Sequence, residues 1–394
     1  MKLFLKKIFS ILILYIIICE AFIRVFAIKD NDNNYFLGYS PLLPAKLPIN
    51  ESKIKIKKYN EMEGQLSFTY DSIVGWLPKN VVKNKNLRKP AIGGQENENK
   101  ENILKIVILG DSYALSAPLI DSLSWVKKIE KDLKTYDMKT EIFNFGAGGY
   151  GLDQSYIRWL KEGKYYFPDI VIVGITEGLI KSNLNLIRPL KTIRTGIPFS
   201  KPRFIINNAG KLSLINSPTI PKNDIVSTLS DLENWKWVDY EYFFSNEKYS
   251  DNILYNFKTL TFLNKVLDKK KYRKKEMEFF SLNNEASQIT IKIMEKIKFD
   301  LEELNGELFI IHFPTRNSLK SLNNGLKLLY NDLFVKLANN YKVIDPTEKL
   351  LELINRQGLD AVAKDHYTEL GYNAVGSMAT KSIIENLGKI SNDK

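Results

Sequence analysis

The chain is poor in the residues that staple or metallate a protein. It has one cysteine and two histidines in 394 residues. A lone Cys19 excludes an internal disulfide, and His312 with His366 cannot supply a multi-histidine metal site. Basic residues exceed acidic ones by 57 to 45, a net charge of +12. The excess is scattered lysine beside Asn and Ile, with no Arg-rich block and no nucleic-acid motif, so no nucleic-acid partner is expected. It reads as a solvated lysine-rich surface, with weak attraction to anionic lipid or glycan as the second reading. There is no internal repeat. What remains is ordinary for a folded chain: 44% hydrophobic and 26% charged residues, enough for a sizeable core.

The N-terminus departs from that average. Lys2, Lys6 and Lys7 precede an apolar run from Ile8 to Cys19. Glu20 and Arg24 then interrupt a stretch that ends near Ile28. A basic flank and an apolar core fit a targeting segment. Ile18 stands where a lipoprotein signal wants a small residue, and Val25-Phe26-Ala27 is a poor cleavage site. Residues 3 to 28 span 26 residues, long enough to cross a bilayer of about 30 Å. The expectation is an uncleaved signal anchor over residues 1–29. It would be single-pass in the inner (cytoplasmic) membrane, with the rest of the chain on the periplasmic or extracellular side; a cleaved signal peptide is the alternative. Residues 30–100 read as a juxtamembrane segment and linker, ending in the polar, turn-like tract Gly93–Lys100.

From residue 101 the pattern becomes regular. Ile103–Leu109 is an apolar run suited to a strand buried on both faces. A helix follows, with Trp125, Val126, Ile129 and Leu133 on one face. Strands are then expected at Glu141–Phe145, Asp169–Ile175, Glu307–Phe313 and Tyr341–Ile344. Helices are expected near Gln154–Leu160, Glu285–Leu304, Leu319–Ala338 and Tyr372–Leu387. Such alternation implies an α/β domain over 101–394: a doubly wound, flavodoxin-like parallel sheet of about five strands with helices on both faces. Residues 184–283 break the rhythm and read as an insertion. It holds a hairpin at Arg203–Ile215, an aromatic stretch from Trp235 to Phe244 and a basic helix-like segment, Lys265–Lys275. A lid over the site and plain structural padding are both open readings.

Three blocks carry chemistry. Gly110-Asp111-Ser112-Tyr113 falls at the carboxyl end of the first strand, where parallel sheets bind ligands. Ser112 is expected at a helix N-terminus, where its N–H and the helix dipole would favour an oxyanion. The bland reading is a helix cap. Asn144–Gly151 follows the second strand. Gly146-Ala147-Gly148-Gly149-Tyr150-Gly151 matches the dinucleotide pattern Gly-x-Gly-x-x-Gly. A complete strand and helix precede it, however, and no acidic residue lies near 20 positions on at a strand end to hold a ribose, so no cofactor is expected. The third block, Lys364–Gly371, puts His366 in a polar loop before the last helix. A serine nucleophile needs a base. His312, inside an apolar strand, reads as a core histidine, which leaves His366.

Together these blocks resemble the SGNH (GDSL-type) hydrolases, and the segments Asp71–Trp76, Tyr166–Asp169 and Lys201–Phe204 resemble a membrane-anchored bacterial subgroup. The resemblance implies Ser112 as nucleophile and oxyanion donor, the Gly149 N–H as second donor, and His366 as general base. Two departures stand out. Glu177 or Gly178 occupies the place of the family's third oxyanion donor, an Asn, and Asn183 or Asn185 would have to replace it. The family's Asp, three residues before the His, is Ala363 here, leaving Asp365 or Asp360 as acid, or a Ser–His dyad oriented by a backbone carbonyl. The implied activity is that of a serine esterase or O-acyl (acetyl) transferase on an ester-bearing glycan of the cell envelope or a small acyl substrate. The alternative is a catalytically silent relative that binds glycan or scaffolds an envelope assembly.

Overall fold

The computed structural model describes residues 2–37, 40–42, 45–79, 103–249, 257–267 and 269–392. The Gly93–Lys100 tract lies outside the described residues. The chain divides into two compact units. The larger comprises residues 67–184, 202–217 and 277–394, the smaller residues 1–66, 185–201 and 218–276.

The larger unit is built on five parallel strands: β1 (Ile103–Leu109), β2 (Lys139–Asn144), β3 (Ile170–Ile175), β4 (Glu307–His312) and β5 (Lys342–Ile344). Their order is β5-β4-β3-β1-β2, the flavodoxin-like arrangement that the alternation of elements leads one to expect. Alternation along the strands separates two core layers. Val107, Leu109, Val171, Val173 and Ile310 pack on one face with Leu152, Trp159, Ile289 and Ile297. Ile106, Ile108, Ile172 and Ile311 pack on the other with Trp125, Ile129, Val375 and Ile383. Because side chains point to opposite faces with period two, a strand covered on both sides must be apolar at every position. Ile170–Ile175 meets this condition, being buried throughout. Each such Ile, Val or Leu contributes about 1.5–3 kcal/mol on burial.

Trp125–Lys134 buries Trp125, Val126, Ile129 and Leu133, and the Ser124 side chain caps it by accepting from the Lys127 N–H. The single helix expected over Leu319–Ala338 is two, Arg316–Asn323 and Asn331–Ala338. A further helix, Thr347–Gln357, lies between β5 and the His366 loop.

The unit boundaries differ from the sequence expectation in two places. Residues 68–78, expected in the juxtamembrane segment, form an antiparallel hairpin, Phe68–Asp71 with Gly75–Pro78, that groups with the sheet. Side-chain bonds over long sequence distances explain this: Gln154 Nε2 donates to the Val74 carbonyl at 2.7 Å and the Tyr150 hydroxyl to the Trp76 carbonyl at 2.6 Å. The hairpin Arg203–Ile206 with Leu212–Ile215 also belongs to the larger unit, so the 184–283 insertion is shared between the two units.

In the smaller unit the N-terminal helix runs from Lys2 to Phe26. Its span Lys6–Phe26, 21 residues of mean hydropathy 2.4, is long and apolar enough to cross a membrane. Glu241 organises the interior of this unit. Its buried carboxylate accepts from the backbone N–H of Leu186 at 2.6 Å, Ile187 at 2.8 Å and Phe243 at 3.0 Å, and from Asn185 Nδ2 at 3.0 Å.

Candidate active site

The topology turns at β1, the strand from which the chain departs in opposite directions to β2 and β3, and ligands of such sheets bind beyond the carboxyl ends there. Gly110 is the first residue past β1. Its φ is +147°, and a Cβ would come within 2.8 Å of Ala114 Cβ and 3.2 Å of the Gly174 carbonyl oxygen, so only glycine fits. The next residues do not begin a helix. Residues 111–119 form consecutive turns, with Leu115 N–H donating to the Asp111 carbonyl at 3.0 Å and Ala117 N–H to the Ser112 carbonyl at 2.9 Å. Ser116 takes a positive φ of 67° and Pro118 has no N–H to offer, which stops helical growth. The expectation of Ser112 at a helix N-terminus is therefore corrected, and helix-dipole stabilisation goes with it.

The turn is fixed by Asp111. One carboxylate oxygen accepts from the Tyr113 N–H at 2.9 Å, and the other accepts from the Thr176 hydroxyl. Thr176 also caps the helix Glu177–Ser182 by accepting from the Leu179 N–H at 3.0 Å. Asp111 thus ties the segment after β1 to the segment after β3 with Ser112 held between. Asn144, at the end of β2, makes the matching tie on the other side. Its Oδ1 accepts from the Gly146 N–H at 2.9 Å and its Nδ2 donates to the Ala114 carbonyl at 2.9 Å.

Gly149 sits at φ +77° in the turn Ala147–Tyr150, which the Tyr150 N–H closes on the Ala147 carbonyl at 3.2 Å. A positive φ at the third position is what a type II turn requires, and glycine supplies it without strain. Trp76 Nε1 donates to the Gly148 carbonyl at 2.9 Å, so the 68–78 hairpin buttresses this turn.

His366 Nε2 lies 2.7 Å from Ser112 Oγ, across 254 positions of sequence. Both residues are half-buried, placed between core and solvent. The Tyr113 ring packs against the imidazole at 4.8 Å between centroids, and its hydroxyl donates to the Asp365 carbonyl at 3.2 Å. Arg316 grips the loop before His366, through the Ala363 carbonyl and through an ion pair with Asp360 at 2.5 Å. Burial holds the His366 pKa below its ordinary value of 6.5, while the Asp111 and Asp365 carboxylates pull it back up. The neutral imidazole, able to accept a proton, is favoured.

The remaining candidates separate. His312 is buried and engaged at both ring nitrogens, with the Asp345 carboxylate 2.9 Å from Nδ1 and the Tyr330 hydroxyl 2.8 Å from Nε2. Asn183 is committed elsewhere, its Oδ1 accepting from the Leu152 N–H at 2.9 Å and its Nδ2 donating to Thr290 Oγ1 at 3.0 Å. Asn185 serves Glu241 in the smaller unit. Neither replaces the oxyanion Asn. Glu177 pairs with Lys181 at 2.9 Å, and a Cβ on Gly178 would touch only Thr176 Oγ1, at 3.7 Å. Asp360 is occupied by Arg316. Asp365 is exposed beside His366, close enough to act on it electrostatically. The sequence marks Asp111 only as a cap and assigns no tie to Thr176, Asn144 or Arg316, because the bonds that give them one, to Asp111, the Ala114 carbonyl and the Ala363 carbonyl, span 30 to 65 positions.

Among the described residues no group of three or more His, Cys, Asp or Glu is placed to hold a metal ion.

No protein-family model and no curated protein matches the chain. Solved structures with a similar course of the chain include the acetyl xylan esterase AlAXEase, at 12% identity over 71% of this chain and all of that one, TM-score 0.37. The Clostridium thermocellum family 3 carbohydrate esterase aligns at 13% identity over 73% of this chain and 98% of that one, TM-score 0.37. A member of the lipolytic protein G-D-S-L family from Veillonella parvula DSM 2008 aligns at 14% identity over 71% and 97%, TM-score 0.35.

Proposed function

We propose that the larger unit is a serine esterase or O-acyltransferase that works through an acyl-enzyme on Ser112. The observation that carries this reading is the 2.7 Å approach of Ser112 Oγ to His366 Nε2 at the carboxyl end of β1. His366 accepts the Ser112 proton as Oγ attacks an ester carbonyl, and the carbonyl π-pair becomes the oxyanion. The backbone N–H groups of Ser112 and Gly149 are assigned to that oxyanion. Collapse expels the alcohol, which takes the proton from His366. Water or a sugar hydroxyl, deprotonated by the same imidazole, then attacks the acyl-enzyme and releases acid or transfers the acyl group. Asp365 and Asp111 stabilise the transient imidazolium electrostatically.

The N-terminal helix, with its outward side chains such as Phe9, Ile11, Leu14 and Ile18 exposed, is read as a membrane anchor, which puts envelope esters within reach. An ester-bearing envelope glycan is therefore the substrate class we assign. The silent-relative reading draws on the missing third donor at Gly178. The contact between Ser112 and His366 favours chemistry over it, since a binding protein has no need of that geometry.

The test is hydrolysis of p-nitrophenyl acetate by the full chain in detergent, compared with Ser112→Ala and His366→Ala. Loss of turnover in both variants supports the assignment. Equal turnover in all three proteins refutes it.

A further inference from the structure

We propose that the helix Lys258–Leu267, with the basic start of the helix Lys269–Phe279, makes a second membrane contact that lies on an anionic phospholipid surface beside the N-terminal anchor. The inference rests on the reading of the N-terminal helix as an anchor.

The argument starts from Glu20. In the helix Lys2–Phe26 it stands six residues before the end, about 9 Å along the axis at about 1.5 Å per residue. A carboxylate at that depth is in the boundary between headgroups and hydrocarbon, where it needs partners. Arg24 supplies one at 2.7 Å. The others come from a distant segment: the Thr259 N–H donates to Glu20 Oε2 at 2.8 Å and the Thr259 hydroxyl at 2.9 Å. The helix Lys258–Leu267 is thereby fixed level with the boundary, its first turn docked on the anchor.

The composition of that helix suits the position. Phe257, Leu260, Phe262 and Leu263 are 36–49% exposed, four large apolar side chains in seven residues. Phe22, Val25 and Phe26 on the anchor are 61–74% exposed, so both helices present large apolar side chains to their surroundings. Tyr35 marks the aqueous edge, with Arg24, Lys29 and Lys258 within 5.6–5.9 Å of its ring, the pairing of aromatic and cation found at headgroup level. The sequence that follows, residues 265–275, carries seven basic residues and one acidic one. Part of it forms the next helix, Lys269–Phe279. A basic run adjoining an apolar face is the chemistry that anionic headgroups bind.

Nitroxide labels on the full chain in lipid nanodiscs test this. In a Cys19→Ser background, labels are placed at Leu263→Cys, at Leu12→Cys within the anchor, and at Lys211→Cys on the exposed tip of the 203–215 hairpin. Collision with oxygen and with an aqueous nickel chelate is measured in phosphatidylcholine with and without phosphatidylglycerol. The expected result is an oxygen-to-nickel ratio at Leu263 severalfold above that at Lys211, largest with phosphatidylglycerol. Adding Lys269→Glu, Lys270→Glu and Lys271→Glu should lower it. A Leu263 label as open to nickel as Lys211, with Leu12 shielded, overturns the proposal and leaves the anchor standing. An aqueous Leu12 overturns the anchor and the proposal together. A Leu263 label buried equally in both lipids and indifferent to the charge reversals overturns the anionic-surface assignment.

Discussion

Asp111 offers the sharpest perturbation, because its carboxylate is buried and fixes Ser112 from both sides. In Asp111→Ala the Tyr113 N–H and the Thr176 hydroxyl lose their acceptor. A buried donor left unsatisfied costs about 1–3 kcal/mol, so the pair costs about 2–6 kcal/mol. Freed of its tie to Thr176, the turn can shift Ser112 relative to His366, and a displacement of about 1 Å at a reacting atom costs about 100-fold in rate. Asp111→Asn separates the two roles. It keeps an acceptor for the Tyr113 N–H but removes the anion that raises the His366 pKa. Urea titration followed by hydrogen exchange of peptides from β1 reports stability in the larger unit, and p-nitrophenyl acetate turnover reports the site. Asp111→Ala should lose both. Asp111→Asn should retain most of the stability and move the acid limb of the pH–rate profile to lower pH. An Asp111→Ala protein within about 0.5 kcal/mol of wild-type stability, a change ordinary for a surface position, and with unchanged turnover would refute the reasoning.

Other consequences follow from the same geometry. His366 must be neutral to accept the Ser112 proton, and burial lowers its pKa, so kcat/KM should rise with pH through a midpoint below 6.5 and then level off. Asp365→Asn removes a carboxylate that favours the imidazolium, so its profile should shift further towards acid; a shift in the opposite direction counts against the electrostatic assignment. Gly178→Asn meets only Thr176 Oγ1 at 3.7 Å, so the side chain fits at its base. If it supplies the third oxyanion donor, kcat should rise by up to about 10²–10³-fold, and a folded variant with unchanged kcat denies that position the role. Glu241→Ala strands the buried N–H groups of Leu186 and Ile187 in the smaller unit and should cost at least about 2 kcal/mol, read in urea from Trp235 and Trp237 emission.

The sheet was legible at its centre, where strands such as Ile170–Ile175 are buried on both faces. Ile103–Leu109 cannot be amphipathic under that constraint, so its apolar run marks it, and Gly110 marks its end. The helix Trp125–Lys134 was legible from the spacing of four side chains that all prove buried. The failures have a common cause in partners remote in sequence. Nothing local in Asp71–Trp76 says that Trp76 will bond the carbonyl of Gly148, so the hairpin read as part of a juxtamembrane segment. Gly-Asp-Ser followed by Tyr and Ala reads as a capped helix, and the positive φ of Ser116 is invisible until the fold imposes it. Asn183 looked free to serve the oxyanion because its real partners, Leu152 and Thr290, lie 31 and 107 positions away. Ser112 and His366 stood out for the opposite reason: Gly-Asp-Ser falls at the end of an apolar strand and His366 is one of two histidines in the chain, whereas Gly149 is singled out by the family resemblance alone.

The measurement that bears most directly on the account is covalent trapping. The full chain is treated with a fluorophosphonate, which adds to a serine only when a base activates it, and the adduct is located by peptide mass spectrometry. The account predicts one modified peptide, carrying the adduct on Ser112, with labelling abolished in Ser112→Ala and slowed severely in His366→Ala. An unlabelled wild-type protein, or labelling that persists in Ser112→Ala, contradicts it.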